Sequence, residues 1–473
     1  MEIQDLPAGW AVATIGDVSV KGSQRKPSDD EEFIYVDIGS IDREKKRIAT
    51  PQTLMGKDAP SRARKEIAVG DVLVSLTRPN LNAVALVEEK YDGQIASTGF
   101  EVIKPVGVDS RYIFALTRSW DFINRISGAV QGALYPAAKS ADVKNYRFPL
   151  PPLAEQTRIA NKLDELLAQV DTIKARVDAI PGILKRFRQS VLAAAVSGRL
   201  TEEWRRQNQP TSARDQVEAA QANKIGRLKV REKKGWDDGL ELFELPNSWA
   251  WTANYKLAMD TTNAICAGPF GTIFKAKDFR EEGVPIIFLR HVKEKGFNQN
   301  KPKFMDSKVW EEFHQEYSVF GGELLVTKLG DPPGECCIYP EGLGTSMVTP
   351  DVLKMDVDTE VAEKEYMMHF FNSPICKDMV RDLAFGVTRL RIDIAMFKSF
   401  PIPTPPLEEQ HEIVRQVGVL FALADQIEQR LQDAQARANS FTQSIIAKAF
   451  RGELVPQDPN EDPASVLVEV LTK

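Results

Sequence analysis

Histidine and cysteine are scarce, with four of each in 473 residues. The histidines, at 291, 314, 369 and 411, share no metal-ligand spacing and no H-E-x-x-H helix occurs, so no metal site is expected. Cys266, Cys336, Cys337 and Cys376 all fall in the second half and two are adjacent, which suits neither a zinc knuckle nor a disulfide framework. Reduced, packed thiols are expected. No apolar run approaches the ~18 residues that a membrane span needs. The start, MEIQDLPAGW, lacks the basic-then-apolar order of a secretory signal, so a cytoplasmic protein without a membrane partner is expected. A cationic excess is lacking too. Lys+Arg total 61 against 67 Asp+Glu, a net charge of −6, so whole-chain charge gives no hint of nucleic acid. Also missing are a Walker-type G-x-x-x-x-G-K-[ST] loop and a G-x-G-x-x-G after a strand.

What remains is 43% hydrophobic and 27% charged, enough to build real cores, in a chain too long for one. Self-comparison organises it. PPLAEQ at 151–156 returns as PPLEEQ at 405–410, and SVLAAAVSGRL at 190–200 returns as SIIAKAFRGEL at 444–454, both displaced by 254 residues without a gap. Over 151–200 against 405–454 there are 18 identities in 50. Upstream the match weakens but keeps its order, as in LPAGW (6–10) against LPNSW (245–249), GDVLVSLT (70–77) against GELLVTKL (322–329), and Tyr112 against Tyr366. The layout is a module (1–148), a helical segment (149–204), a partly helical linker (205–244), a second module (245–402), a second helical segment (403–456) and a tail (457–473).

The helical segments carry apolar residues at alternating steps of four and three. Leu163, Leu166, Val170, Ile173, Val177, Leu184 and Phe187 mark the first seam, and Val417, Leu420, Ile427, Leu431, Phe441 and Ile445 the second. A sustained 3.5 period predicts supercoiled helices. Pro-Pro followed by Glu155-Gln156 or Glu409-Gln410 marks each start, and Gly198 and Gly452 mark left-handed ends. Large residues of one seam face alanines of the other, at 424, 434 and 438, which predicts an intramolecular antiparallel pair about an internal dyad. Packing of each helix on its own module or on another chain is the alternative. Pro181 should kink or locally open the first helix. From Ile159 to Val191 the seam would span roughly 48 Å at about 1.5 Å per residue.

Each module mixes short β-branched runs with a later helical stretch, which reads as α+β. Three motifs imitate catalytic ones. Asp331-Pro332-Pro333-Gly334 begins like a methyltransferase loop, but glycine stands where an aromatic ring would stack on a base. Asp71 with Glu88-Glu89-Lys90 has a nuclease-like spacing, read as ordinary charged side chains, and Ser97-Thr98 has no base nearby. No catalytic residue is assigned. What stands out is local positive charge. Module one holds 20 basic and 20 acidic residues over 1–148, yet gathers Arg43, Lys45, Lys46 and Arg47, then Arg62 and Arg64, then Arg78-Pro79-Asn80. Module two has Lys275, Lys277 and Arg290, then Lys328, Arg389 and Arg391 in loops. With Gln131 and Tyr135, these are the candidate DNA contacts, because phosphate anchoring and base-edge reading need such groups on loops. The linker adds Lys224, Arg227, Lys229, Arg231, Lys233 and Lys234, read as a solvated connecting helix.

Two variable modules, each followed by P-P-L-x-E-Q, a heptad helix and S-[VI]-[LI]-x-x-A-x-x-G-x-L, resemble the DNA-specificity subunit of Type I restriction-modification enzymes, over essentially the whole chain. The loops GPFG (268–271), TKLGDPPG (327–334) and GVTRLRI (386–392) look like that family's target-recognition loops. The resemblance implies two α/β target-recognition domains separated by two long helices paired as an antiparallel coiled coil. It implies a subunit that does no chemistry. Each domain would read one half of a bipartite, asymmetric site on double-stranded DNA, with half-site centres about one helical turn apart, roughly 34–36 Å. Methyltransferase and restriction subunits would be the partners, and S-adenosylmethionine, ATP and Mg²⁺ would belong to them, with no cofactor of this chain's own. A coiled-coil scaffold with protein-binding modules, or a self-sufficient methyltransferase or nuclease, are the alternatives.

Overall fold

A computed structural model describes residues 6–128, 137–230, 240–270, 274–386 and 389–471. The chain forms two compact units, one made of 1–179 with 431–473 and the other of 180–430. The boundary falls inside both long helices, Leu153–Val196 and Leu407–Phe450. Each unit therefore combines its own module with the start of one helix and the end of the other.

In the first unit, strand Ala11–Thr14 pairs antiparallel with Arg147–Leu150 and closes the module where the chain enters the helix. Two four-stranded sheets lie between these ends, one containing the parallel pair Glu32–Val36 and Ile95–Ser97, the other built on Val72–Ser75 beside Phe100–Pro105. Val72–Ser75 is buried on both faces, as its unbroken VLVS run requires. The second unit repeats the plan. Ala250–Ala253 pairs with Pro401–Thr404, Val284–Ile287 runs parallel to Ser346–Val348, and the buried strand Leu324–Thr327 lies between Val352–Met355 and Cys336–Ile338. Cys336, Cys337 and Cys376 are buried as free thiols and Cys266 is half-buried.

The helices are antiparallel within each unit. In the first, Lys174 Nζ donates to Thr442 Oγ1 at 3.5 Å and Gln435 Nε2 to Asp178 Oδ1 at 2.9 Å, so numbers rise along one helix as they fall along the other. In the second, Arg188 reaches Asp425 (2.5 Å) and Glu428 (3.0 Å), and further on Val191, Leu192 and Ala195 share a core with Val417 and Ile413. The first helix runs without interruption through Pro181, so the expected local opening is not found.

The strict 3.5-residue seam needs correction. Leu163, Val170, Leu184, Val417 and Leu431 are buried, and Leu166, Val177, Phe187, Leu420 and Ile445 are half-buried. Ile173 (52% exposed), Ile427 (39%) and Phe441 (59%) are not part of a buried seam. An α-helix turns once per 3.6 residues, so a heptad pattern drifts ~20° every seven residues. The helix ends, moreover, bury a face against the modules. Ile159, Leu163 and Leu167 join Tyr112, Phe148, Ile446 and Phe450 in one core.

Candidate nucleic-acid interface

The repeated motifs prove to be a joint that positions each module on the helices. Trp10 of LPAGW donates its indole N–H to Glu155 Oε2 at 3.0 Å, and Trp249 of LPNSW donates to Glu409 Oε2 at 2.9 Å. Gln156 Oε1 accepts from Asp109 N (3.0 Å) and Gln410 Oε1 from Glu363 N (2.8 Å). The hydroxyl of Tyr112 donates to Pro149 O, and that of Tyr366 to Pro403 O. Gly452, at φ +73°, lies against Pro7 and Trp10, while Gly198, at φ +76°, lies against Pro246. Thus the glycine ending each helix docks on the other repeat's L-P-x-x-W motif. The sequence marks Glu155 and Glu409 only as first-turn acids at the helix starts. Both are buried, at 1% and 0% exposure, and hydrogen-bonded. Their recurrence in both repeats was the signal that could have found them.

The two joints differ electrostatically. Glu409 also accepts from Thr201 Oγ1 at 2.7 Å and pairs with Arg205, whose guanidinium lies over the Trp249 ring. Among the described residues Glu155 forms no ion pair of its own, since the nearby Arg158 pairs with Glu461; burial raises its carboxyl above the usual value, against the hydrogen bonds from Trp10 and Gln457 and the charge of Arg158.

The linker is not a solvated helix. Its helix ends at Ala222, after which Lys224 Nζ meets Asp358 Oδ2 at 2.9 Å and the carbonyl of Ala258 at 2.8 Å, and Asp260 accepts from the amides of Ile225, Gly226 and Leu228. A half-buried ammonium needs such partners, so this basic run is partly committed to its own module. Arg231, Lys233 and Lys234 lie outside the described residues.

In module one the structure brings two candidate loops together. The Ile41–Asp42/Arg47–Ile48 hairpin turn is held by Asp42, which accepts from the amides of Glu44 and Lys45. Arg43, Lys45 and Arg47 are exposed on it. Lys46, at φ 53°, turns its ammonium back to Asn82 O at 2.7 Å. Asn82 ends the turn of Pro79–Leu81, which displays Arg78 and Asn80. Three non-glycine residues with positive φ, Lys46, Arg78 and Asn82, meet in this small region, and such backbone persists only where surroundings hold it. Arg62 and Arg64 lie apart, the first just before and the second within the strand Ala63–Glu66 of the other sheet, where Arg64 donates to Ala63 O. Gln131 and Tyr135 lie outside the described residues.

In module two, three loops converge. Leu329–Gly330 pairs with Leu390–Arg391, setting Leu329 opposite Arg391, and Ile392 N donates to Lys328 O at 3.1 Å. Lys328 Nζ lies 4.5 Å from the centre of the Phe270 ring, which is 58% exposed. Burial depresses the Lys328 ammonium, against the pull of Asp351 and Asp393. Arg389 and Arg391 are exposed beside it. An exposed ring backed by cations can stack on a base or sugar while the cations take phosphates. In the sequence Phe270 is legible only as part of GPFG. Lys275 and Lys277 are exposed on another turn, Ala276–Asp278, and Arg290 packs over Phe288 while donating to Lys301 O.

The catalytic imitations do not assemble. Asp71 is buried and salt-bridged to Lys104 at 2.6 Å, and the exposed Glu88 pairs with Lys90. The Asp331–Gly334 turn is a tight loop. A side chain at Gly330 would meet Pro332 O at 2.7 Å, and Gly334 N donates to Thr327 Oγ1. Among the described residues no three His, Cys, Asp or Glu side chains form a metal-holding group, and no helix is long and apolar enough to cross a membrane.

A family model for the Type I restriction modification DNA specificity domain matches residues 7–181 and 271–434. The Type I restriction enzyme EcoDI specificity subunit of Escherichia coli is 32% identical over 387 residues, covering 79% of this chain and 77% of that protein. The EcoKI specificity subunit of Escherichia coli (strain K12) is 30% identical over 480 residues, covering 98% and 93%. Among solved structures, the HsdS subunit from Thermoanaerobacter tengcongensis shares the fold with a TM-score of 0.58 at 23% identity, over 95% of this chain and 99% of that one. A chain from a type I R-M system does so with a TM-score of 0.67 at 24% identity, over the same shares.

Proposed function

This chain belongs to the Type I restriction-modification DNA specificity family, and from that premise we propose that each of its modules reads one half of a bipartite, asymmetric DNA target. The observation that carries the reading is the convergence of Phe270, Lys328 and Arg391 from three separate loops of module two, matched in module one by the meeting of the 43–47 and 78–82 loops. Exposed arginines and asparagine there have the hydrogen-bonding geometry for guanine and adenine edges, and the lysines suit phosphates. Because the modules differ in sequence, the half-sites differ. The paired helices set their separation, leaving a spacer of unread bases.

The chain itself acts without catalysis, in the cytoplasm. It directs methyltransferase and restriction subunits to the site, and S-adenosylmethionine, ATP and Mg²⁺ are used by those partners. Replacing Arg389 or Arg391 by alanine should weaken discrimination at one half-site by about 1–3 kcal/mol per base contact and leave the other unchanged. Competition binding with duplexes altered in one half-site at a time measures this. Equal loss at both halves overturns the assignment.

A further inference from the structure

Beyond the loops that face a target, the first unit holds a cluster of cations where its module meets both long helices. Hydrogen bonds thread it together. Lys46 Nζ donates to Asn82 O, Asn82 Nδ2 donates to Thr117 O at 2.8 Å, and next along the chain Arg118 O accepts from Gln443 Nε2 at 3.1 Å. Thr442, beside Gln443, accepts from Lys174 Nζ. Among the described residues, Lys46 thus has a carbonyl for a partner, Lys174 a hydroxyl, and the Arg118 guanidinium a ring, that of Phe114 at 5.3 Å. No ion pair is formed by any of the three among those residues. The acids that act on them from a distance are Asp42, Asp164 and Asp171; Asp42 is bonded to its own turn and Asp164 pairs with Arg111. Burial, then the charges of Arg118 and Arg43, push the Lys46 ammonium down to about 8. Burial lowers the Arg118 guanidinium also.

The other repeat solves the same place differently. At the 254-residue displacement, Lys174 corresponds to Glu428 and Arg118 to Asn372. Glu428 pairs with Arg188 at 3.0 Å and with Lys295 at 3.6 Å, the latter from the loop corresponding to that of Lys46. Asn372 is buried and bonded to the backbone of Cys336. The second unit neutralises its cations internally; the first gathers like charges, which repel unless an anion joins them.

We propose that Lys46, Arg118 and Lys174 form an anchoring pocket for one phosphate of the DNA backbone, present in the first unit and replaced in the second by an internal ion-pair network. It rests on the DNA-reading function. A phosphate contact carries no sequence information but fixes register, so this pocket would orient the complex on an asymmetric target.

The test uses the full chain assembled with its partner subunits and a fluorescent target duplex, titrated across salt. Each phosphate neutralised contributes about 0.9 to the slope of log affinity against log salt. Lys174→Gln, a half-exposed helix position, should lower that slope by about one, so that between roughly 50 and 200 mM salt the variant loses about 3.5-fold less affinity than the parent. Its loss should be equal on target and unrelated duplexes. Lys295→Gln should leave the slope unchanged. An unchanged slope for Lys174→Gln overturns the proposal, including the case in which the variant weakens subunit assembly instead, because a partner's carboxylate would then be the anion. An equal drop for Lys295→Gln overturns the asymmetry. If the parent complex itself shows no sequence preference, the DNA-reading function fails instead.

Discussion

Replacing Glu409 by alanine removes the centre of the second unit's joint. The carboxylate is fully buried and takes three donors: the Trp249 indole, the Thr201 hydroxyl and the Arg205 guanidinium, itself 17% exposed. Alanine would leave the arginine buried without its charge partner, a change that costs about 3–5 kcal/mol in comparable buried pairs, and would orphan two further buried donors. Part of that overlaps, since Arg205 also donates to Gly198 O and lies over Trp249. A loss of about 4 kcal/mol is therefore expected, confined to the second unit. Because the chain forms two compact units, a single melting curve is a poor readout. Hydrogen exchange resolved by peptide gives opening free energies for the segments around Trp249 and Leu407 on one hand, and around Trp10 and Leu153 on the other. A loss below about 1 kcal/mol around Trp249, or equal losses in both units, would refute the reasoning. The double variant Glu409→Gln with Arg205→Met should recover much of the loss, since buried ion pairs can often be exchanged for uncharged packing.

The first unit's joint carries a pH dependence of its own. Glu155 has its carboxyl raised by burial, so its folded value lies above its unfolded one. Its contribution is fully present below the unfolded value and is lost as pH rises through the folded one. Glu155→Gln should flatten the fall in first-unit stability as pH rises above the ordinary carboxyl value; opening free energies around Trp10 and Leu153 with equal pH dependence in parent and variant would contradict this. Gly198→Ala and Gly452→Ala place a Cβ 2.5 Å from Pro246 Cγ and 2.4 Å from Pro7 Cγ, at backbone angles that disfavour side chains. Each should destabilise its own unit by more than about 1 kcal/mol in denaturant unfolding, and a neutral alanine at either site would count against the joint.

How much was legible follows from what kind of force each feature uses. The repeat, the helix ends and the short strands are local or periodic, and the chain spells them out. PPLAEQ and PPLEEQ do begin helices, Gly198 and Gly452 do end them in the left-handed region, and VLVS is a buried strand. The seam was legible only in part. Heptad arithmetic ran on through Ile173, Ile427 and Phe441, where drift and the competing faces of the modules leave apolar residues exposed. Charge runs were the least reliable guide. Arg43 and Arg391 are exposed, but Lys224 is bonded into its own module, and nothing local distinguishes the two kinds.

By itself, then, the sequence determined the duplication, the antiparallel-helix plan and the family, because these rest on repetition that can be counted along one dimension. Only the tertiary structure decided that each helix end docks on the other repeat's L-P-x-x-W motif, that Phe270, Lys328 and Arg391 meet, and that one unit pairs Glu428 with Lys295 while the other leaves Lys174 beside Lys46 and Arg118. Electrostatic and hydrogen-bond energies depend on distances of a few ångströms between residues hundreds of positions apart, and those distances exist only once the chain has folded.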